Sequence, residues 1–500
     1  MFEAALQGFV AISAPVPLGF LVLGVALGVW GGALPGVGGP AQLAVLLPFA
    51  MLMEPINGIA FLIGVTTVGN TGNTFTSVLM AVPGGSGSQA TVLDGYPMAQ
   101  KGEARRALSA AFMVSMIGGI IGALMLFGSL PIMRPLVRSF GSPELFMFTI
   151  WGLSMIGTMS SGAPLKGLSA AILGVILSTV GQDVKSGVIR FDFDEPYLWG
   201  GVSIVLISLS IFAIPEMIAL AARKGRVAEV SDLGEGGILE GIKDAFRHKW
   251  LVLRSAAVGT WVGVLPGLGS DVADWFAYAS AKQTEKNTEN FGKGDVRGVI
   301  APESSNNAKE GGALITTLAF GIPGSTSMAL LLIAFMSFGL NPGPDMISEP
   351  NQLFFVYAII AALVLSQILA SGICWAMIKP AARICFFPFY VLVPVIVALT
   401  FLSAFSAHFS ILDIVALLGL SLFGYFMKVA GWPRAPVVLG FVLGDKVELY
   451  LWLSVARYDM GWIWRPGVLA LGTLIALTLL WPMWKAYRAA PVPKAPEAAE

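Results

Sequence analysis

Residues 28–39 read GVWGGALPGVGG, and residues 259–270 read GTWVGVLPGLGS. Seven of the twelve positions are identical at an offset of 231 residues: Gly28/Gly259, Trp30/Trp261, Gly32/Gly263, Leu34/Leu265, Pro35/Pro266, Gly36/Gly267 and Gly38/Gly269. Pro-Gly-x-Gly between apolar stretches ends a helix. Proline removes a backbone donor, and glycine adopts angles that other residues avoid. A single copy reads as well as a plain loop between two helices. Two copies, one in each half, point to duplicated breaks with a function. Irregular backbone at membrane depth persists only when packed in protein or lining a wet cavity.

The composition supplies the membrane. Of 500 residues, 56% are hydrophobic and 12% charged, with a mean hydropathy of +0.79. Soluble domains carry about 25% charge. Apolar runs near 107–130 and 202–222 are long enough to cross a lipid bilayer. Thirty basic and thirty acidic residues cancel, which implies no nucleic-acid partner. Cys374 and Cys385 lack metal-type spacing, and His248 and His408 are too scattered for a histidine metal site, so no metal is expected. The N-terminus lacks the basic region of a cleavable signal, and 489–500 is a short Pro/Ala-rich tail read as disordered.

A second alignment extends the repeat. At an offset of 240, residues 72–85 match 312–325 through Gly72/Gly312, Thr76/Thr316, Pro83/Pro323 and Gly84/Gly324. The chain then divides into a first repeat core (1–106), first-half spans (107–222), a cytoplasmic connector (223–254), a second core (255–346), second-half spans (347–488) and the tail. Charge orients the cores, because cytoplasmic loops collect Lys and Arg. The loop closing the first core holds Lys101, Arg105 and Arg106, whereas its counterpart at 339–346 holds only Asp345. Around the tetrads the asymmetry reverses: Glu54 alone follows the first, while Arg247, Lys249, Arg254, Lys282, Lys286, Lys293 and Arg297 flank the second. These patterns predict an all-α polytopic membrane protein with inverted-topology repeats, two re-entrant hairpins and broken helices. About eleven crossings follow, with a periplasmic N-terminus and a cytoplasmic C-terminus. Arg134 and Arg138 fall on the outer side of this scheme and violate it.

Four broken stretches are expected to converge: 35–39, 66–74, 266–270 and 303–312, with turns at 83–88 and 323–327 beside them. Exposed N–H groups at half-helix starts suit carboxylates, and carbonyls with Ser, Thr and Asn oxygens suit a small cation. The expected substrate-facing residues are Pro35, Gly36, Gly38, Asn70, Thr71, Asn73, Pro266, Gly267, Gly269, Ser304, Asn306, Asn307, Gly324 and Ser325. The expected coupling-ion residues are Thr66, Thr67, Asn70, Glu303 and Ser305. Each hydroxyl reads equally as a helix cap or interhelical bond. Glu303 could sit at a loop edge, Glu310 beside Lys309 at an interface, and Asp271 or Asp274 could replace Glu303. Residues 28–98 contain no Lys, Arg or His, and Lys309 is the sole basic residue between Gly298 and Gly339. A centre lined by neutral oxygens and amides is therefore expected, with a co-bound cation balancing an anionic substrate. No catalytic set or nucleotide loop is present, so an enzyme is not expected.

Six stretches resemble the large permease subunit of tripartite tricarboxylate transporters, the TctA-like family: GVWGGALPGVGG, PGG followed by DGYPMAQKGEARRAL, GQDVKSGVIRFDF, GTWVGVLPGLGS, FGKGDVRGVIAPESSNNAKEGGALI and FGIPGSTSMAL. The resemblance implies a bacterial inner-membrane permease working with a small membrane subunit of about four spans and a periplasmic solute-binding protein. It implies import of a tricarboxylate or related organic acid, driven by an ion gradient (Na+ or H+) with no other cofactor, and kinship with elevator-type ion transporters. The other readings are an ion-coupled carboxylate transporter or channel without a binding protein, and an intramembrane enzyme.

Overall fold

The computed structural model describes residues 2–34, 39–81, 84–158, 164–183, 186–215, 217–218, 237–265, 272–384, 389–405 and 408–489. The expected tip residues Pro35, Gly36, Gly38, Pro266, Gly267 and Gly269 lie outside the described residues, as does Asp271. Apart from one small antiparallel pairing, Gly181–Gln182 with Ile189–Arg190, the regular structure described is helical.

Two central helices organise the molecule, Pro55–Met80 (26 residues) and Arg297–Phe320 (24 residues). At 1.5 Å per residue they run about 39 and about 36 Å, beyond the ~30 Å of a hydrocarbon core. They correct the sequence reading. Neither breaks at 66–74 or 303–312; both helices run straight through. The Asn, Thr and Ser residues that read as breakers are absorbed inside the helix. Thr67 donates to Ile63 O (2.7 Å) and Ser304 to Ile300 O (2.6 Å), bonds that leave the backbone ladder in place. The true break follows the C-termini. Ala81 (φ 54°) and Gly321 (φ 67°) both adopt the left-handed conformation, and they are equivalent at the 240 offset. Alanine there is strained, by about 1–2 kcal/mol. Ala81→Gly is expected to raise the melting temperature of the purified protein; a lower one would show that this turn is not strained.

The duplication is visible atom by atom. A Cβ added to Gly28 would lie 2.7 Å from Val65 O, and one added to Gly259 would lie 2.3 Å from Ser305 O. At Gly32 it would meet Gly69 O at 2.1 Å, and at Gly263 Lys309 O at 2.2 Å. In the reverse direction, Gly72 faces Val29 O (2.4 Å) and Gly312 faces Thr260 O (2.1 Å). Partners on the central helices are related by 240 and partners on the preceding helices by 231. The preceding helices, Pro15–Gly32 and Lys249–Val264, thus seat on their central helices through the same contacts. Even a local detail recurs: Thr76 donates to Asn73 O and Thr316 to Ala313 O.

Among the described residues, four helices are long and apolar enough to cross a membrane: Pro15–Gly32, Ala104–Val137, Pro350–Pro380 and Ile411–Val429. Pro436–Trp464 with Pro466–Leu477, bent by 72°, makes a fifth if the pair is one span. By length and composition this falls short of eleven crossings. The central helices are long but polar, and apolar helices such as Thr326–Ser337 (12 residues) reach only about 18 Å. Arg134, which violated the charge pattern, donates to Ser348 O (3.3 Å) at the end of the short helix Pro344–Ser348.

Candidate functional site

The site lies where the central helices cross. Asn70 Nδ2 donates to Glu310 Oε1 (2.9 Å), Asn307 Nδ2 to Thr71 Oγ1 (2.8 Å) and Thr74 Oγ1 to Glu303 Oε2 (3.0 Å). Positions rise on one helix as they fall on the other, so the helices run antiparallel. Asn70 and Glu310 are themselves equivalent at the 240 offset. A bond between equivalent positions is what a two-fold relation between the helices produces, with its axis passing through that bond.

Glu303 is fully buried, and among the described residues its donors are hydroxyls: Thr91 Oγ1 on Oε1 (2.7 Å), and Thr74 Oγ1 and Ser115 Oγ (3.1 Å) on Oε2. It therefore gathers the first central helix, the segment after it and the long helix Ala104–Ser139. A carboxylate at such depth is costly unless fully hydrogen-bonded. The other expected ion residues do not join it. Thr66 and Thr67 donate to the carbonyls of Leu62 and Ile63, Ser305 donates to Ala273 O (2.9 Å), and Asn70 belongs to Glu310.

The substrate-facing set is brought together more closely. Asn307 also donates to Gln367 Oε1 (2.6 Å), whose Nε2 donates to Thr67 O (3.2 Å), so the helix Pro350–Ile384 closes one side. Asn73 Oδ1, Asn307 Oδ1 and both polar atoms of Asn306 are buried without a hydrogen-bond partner among the described residues. Each such atom costs about 1–3 kcal/mol. Four of them lie on three asparagines at one crossing, and such atoms are ordinarily met by ordered water, an ion or a ligand. Glycines from the turn after the first central helix lie against them: Gly84 and Gly85 beside Asn73, and Gly87 beside Asn306. In the second unit, Gly324 N donates to Thr317 Oγ1 (3.4 Å), and the Ser325 side chain caps Met328 N (3.2 Å), so Ser325 plays a structural part.

Other residues stitch the two cores together. Asp274 accepts from Ala90 N (3.0 Å) and from Trp275 N (2.8 Å). Asp94, fully buried, accepts from Tyr278 Oη (2.9 Å) and from the backbone N–H groups of Gly292, Gly294 and Asp295. Sequence reading missed Asp94 and Gln367, although a glutamine next to a serine deep inside the apolar 353–378 stretch is a signal. Nothing in the sequence marks Thr91 or Ser115. Asp94→Ala would strand a hydroxyl and three amides. A fall of several degrees or more in melting temperature is expected, and no change would show that the loop holds by other contacts. A cavity of about 340 Å³ lies elsewhere, between Thr326–Ser337 and Ala435–Tyr458, and Asp445 and Lys446 are among its lining residues.

This geometry defines a duplicated helical membrane protein with a buried polar centre. The family described as "Tripartite tricarboxylate transporter TctA family" matches residues 18–439. The chain therefore belongs to the TctA family, the large subunit of tripartite tricarboxylate transporters, and is a multi-pass membrane protein of a system that has partner subunits. It is 32% identical over 492 residues, 96% of each chain, to an uncharacterised 52.8 kDa protein of the TAR-I ttuC' 3' region of Agrobacterium vitis. A protein of the TAR-II ttuC' 3' region of the same organism is 35% identical over 193 residues, 39% of this chain and 79% of that protein. No solved structure matches.

Proposed function

We propose that this permease imports a tricarboxylate or related organic acid across the bacterial inner membrane, driven by a Na+ or H+ gradient, and without catalysis. Its partners are a small membrane subunit of about four spans and a periplasmic solute-binding protein that delivers the acid. The observation that carries the reading is the antiparallel crossing of two equivalent helices around unpaired buried amides. Equivalent units facing each other across one site are the arrangement that lets a protein open the same site to either side. On this reading the repeats are inverted in the membrane, residues 28–39 and 259–270 are tips of re-entrant hairpins, and the repeat cores move in the elevator manner. Asn70, Thr71, Asn73, Ser304, Asn306 and Asn307 then face substrate, with the two tips and Gly324 and Ser325 around them. Glu303 takes the coupling ion, its hydroxyl-rich surroundings supporting that role more than Thr66, Thr67 or Ser305.

Two measurements test this. Uptake of labelled carboxylates by cells holding the permease with its cognate partners should need the binding protein and collapse when the ion gradient is dissipated. Uptake that persists without a gradient identifies a channel, and conversion of substrate in detergent an enzyme. For topology, Ser13→Cys is expected to react with an impermeant reagent from outside and Gln100→Cys only after permeabilisation. Equal labelling from outside overturns the inverted repeat.

A further inference from the structure

The connector between the two units ends in a short helix, Ile238–Arg247, that the transport reading does not use. At about 100° per residue its side chains sort into three stripes. Gly241, Asp244 and Ala245 are buried. A Cβ added to Gly241 would strike Arg106 O, Asp244 accepts from Arg106 Nε (2.7 Å), and Ser109 Oγ donates to Ile238 O (2.8 Å). The start of the long helix Ala104–Ser139 therefore holds this helix. Glu240, Lys243 and Arg247 form the second stripe, with Arg247 bridging Asp244 (2.8 Å) and Glu240 (3.5 Å). The third stripe, Ile238, Leu239, Ile242 and Phe246, is apolar, yet Leu239 is 65% and Phe246 56% exposed. Trp250, just beyond, is 74% exposed.

The packing of the core fixes how this helix lies. Added Cβ atoms at Gly118 and Gly122 would strike the carbonyls of Ser304 and Ala308, and those at Gly259 and Gly263 the carbonyls of Ser305 and Lys309. Ala104–Ser139 and Lys249–Val264 thus run in one direction along Arg297–Phe320, with Gly118 and Gly259 level. Ten residues earlier on each, Lys249 is about level with residue 108. Ile238–Arg247 starts against residues 106–110 and ends at that same level. Over about 15 Å of its own length it does not change depth, so it lies across the span. Ala104–Val137 is long and apolar enough to cross a membrane, and Arg105 and Arg106 stand in its first turn. That depth is the boundary between acyl chains and headgroups.

We propose that Ile238–Arg247 lies in the membrane interface and binds anionic phospholipid, with Leu239, Ile242 and Phe246 in the acyl boundary and Lys243 and Lys249 on lipid phosphates. A flat helix with an apolar stripe beside a cationic one is suited to such a boundary. With the turn it packs on, Arg105, Arg106, Lys243, Arg247 and Lys249 stand against Glu103, Glu240 and Asp244, a surplus of two positive charges that favours anionic headgroups. The helix is joined to Ala104–Ser139 by the Arg106–Asp244 pair and leads through His248 into the first helix of the second core. One lipid contact thereby sets the depth of both units. The inference needs only a membrane-spanning chain, not the transport reading.

The test uses the purified full-length permease in nanodiscs of phosphatidylcholine, with or without phosphatidylglycerol. A fluorophore is placed at Leu239→Cys, Phe246→Cys or Lys243→Cys, and labelling of the unsubstituted chain is subtracted. Iodide in the water is expected to quench the dyes at 239 and 246 at least threefold less than the dye at 243, and lipids carrying a quencher near the headgroup to reverse the order. Wild type is expected to melt several degrees higher with phosphatidylglycerol, and Lys243→Gln/Lys249→Gln to lose at least half of that rise. Equal iodide quenching at all three positions overturns the interfacial placement. Shielding of 239 and 246 only when the small membrane subunit is co-purified assigns the stripe to a protein and overturns the lipid. No phosphatidylglycerol effect on wild type, or the full effect in the double variant, overturns the headgroup contact.

Discussion

Glu303→Leu is expected to yield little or no folded protein, whereas Glu303→Gln is expected to fold and to lose ion-driven uptake. Leucine removes the acceptor that serves Thr74, Thr91 and Ser115, all buried. Each stranded hydroxyl costs about 1–3 kcal/mol, and proteins have only about 5–15 kcal/mol to lose. Glutamine keeps one acceptor oxygen and nearly the same volume, so the three elements stay joined. What it removes is the charge that would bind a cation or carry a proton. Size-exclusion profiles of a fluorescent fusion report folding, and uptake against ion concentration reports coupling. If Glu303→Gln transports with the wild-type ion dependence, Glu303 is a purely structural acceptor and the coupling ion binds elsewhere.

The second large effect is steric. Gly312→Ala is expected to destabilise the protein strongly, and Gly19→Ala to stabilise it slightly, though both put the same methyl into a helix. Alanine is favoured over glycine in helices by about 1 kcal/mol. At Gly19 nothing lies within 4 Å of the new atom, so that preference stands alone. At Gly312 the methyl would sit 2.1 Å from Thr260 O, a backbone atom that moves only if the whole preceding helix moves. Overpacking of this kind costs about 1–3 kcal/mol or more. Gly32→Ala, facing Gly69 O at 2.1 Å, should behave like Gly312→Ala. Melting curves of the three variants decide it. Unchanged stability at both Gly32 and Gly312 would mean that the repeated helix pairs are not packed backbone to backbone.

The repeat itself was legible because glycines at fixed spacing leave a trace that survives divergence of their neighbours. Gly28, Gly32 and Gly72 recur as Gly259, Gly263 and Gly312, and each turns out to face a carbonyl oxygen. The site was half legible. Asn70, Asn73, Ser304, Asn306 and Asn307 drew notice as polar residues in apolar surroundings, and the central crossing gathers that segment pair. The inference that they break their helices failed. Asn and Ser favour turns when their side chains compete for local backbone, and here the partner helix occupies those side chains instead. The sequence shows the cation at Lys309 but leaves an interface open to it, because sequence order cannot show that a turn 222 residues earlier folds against it. Thr91 and Ser115 were invisible for the same reason: a hydroxyl becomes a ligand only when a carboxylate arrives from another part of the chain.

The bond between Asn70 and Glu310 has a consequence for how such a protein can arise. In a dimer of two identical short chains, a residue on the axis meets its own copy. Two ionised glutamates there would repel unless they shared a proton, whereas two asparagines would bond, so an ionised pair is disfavoured at that point. Joining the two units into one polypeptide lifts the restriction, since each position then mutates alone. An amide opposite a carboxylate at equivalent positions needs two units of different sequence, as the fused chain has. The same freedom lets Lys309 and Gly87 stand in one unit where the other has Gly69 and Ser327, so a repeated frame carries unlike side chains.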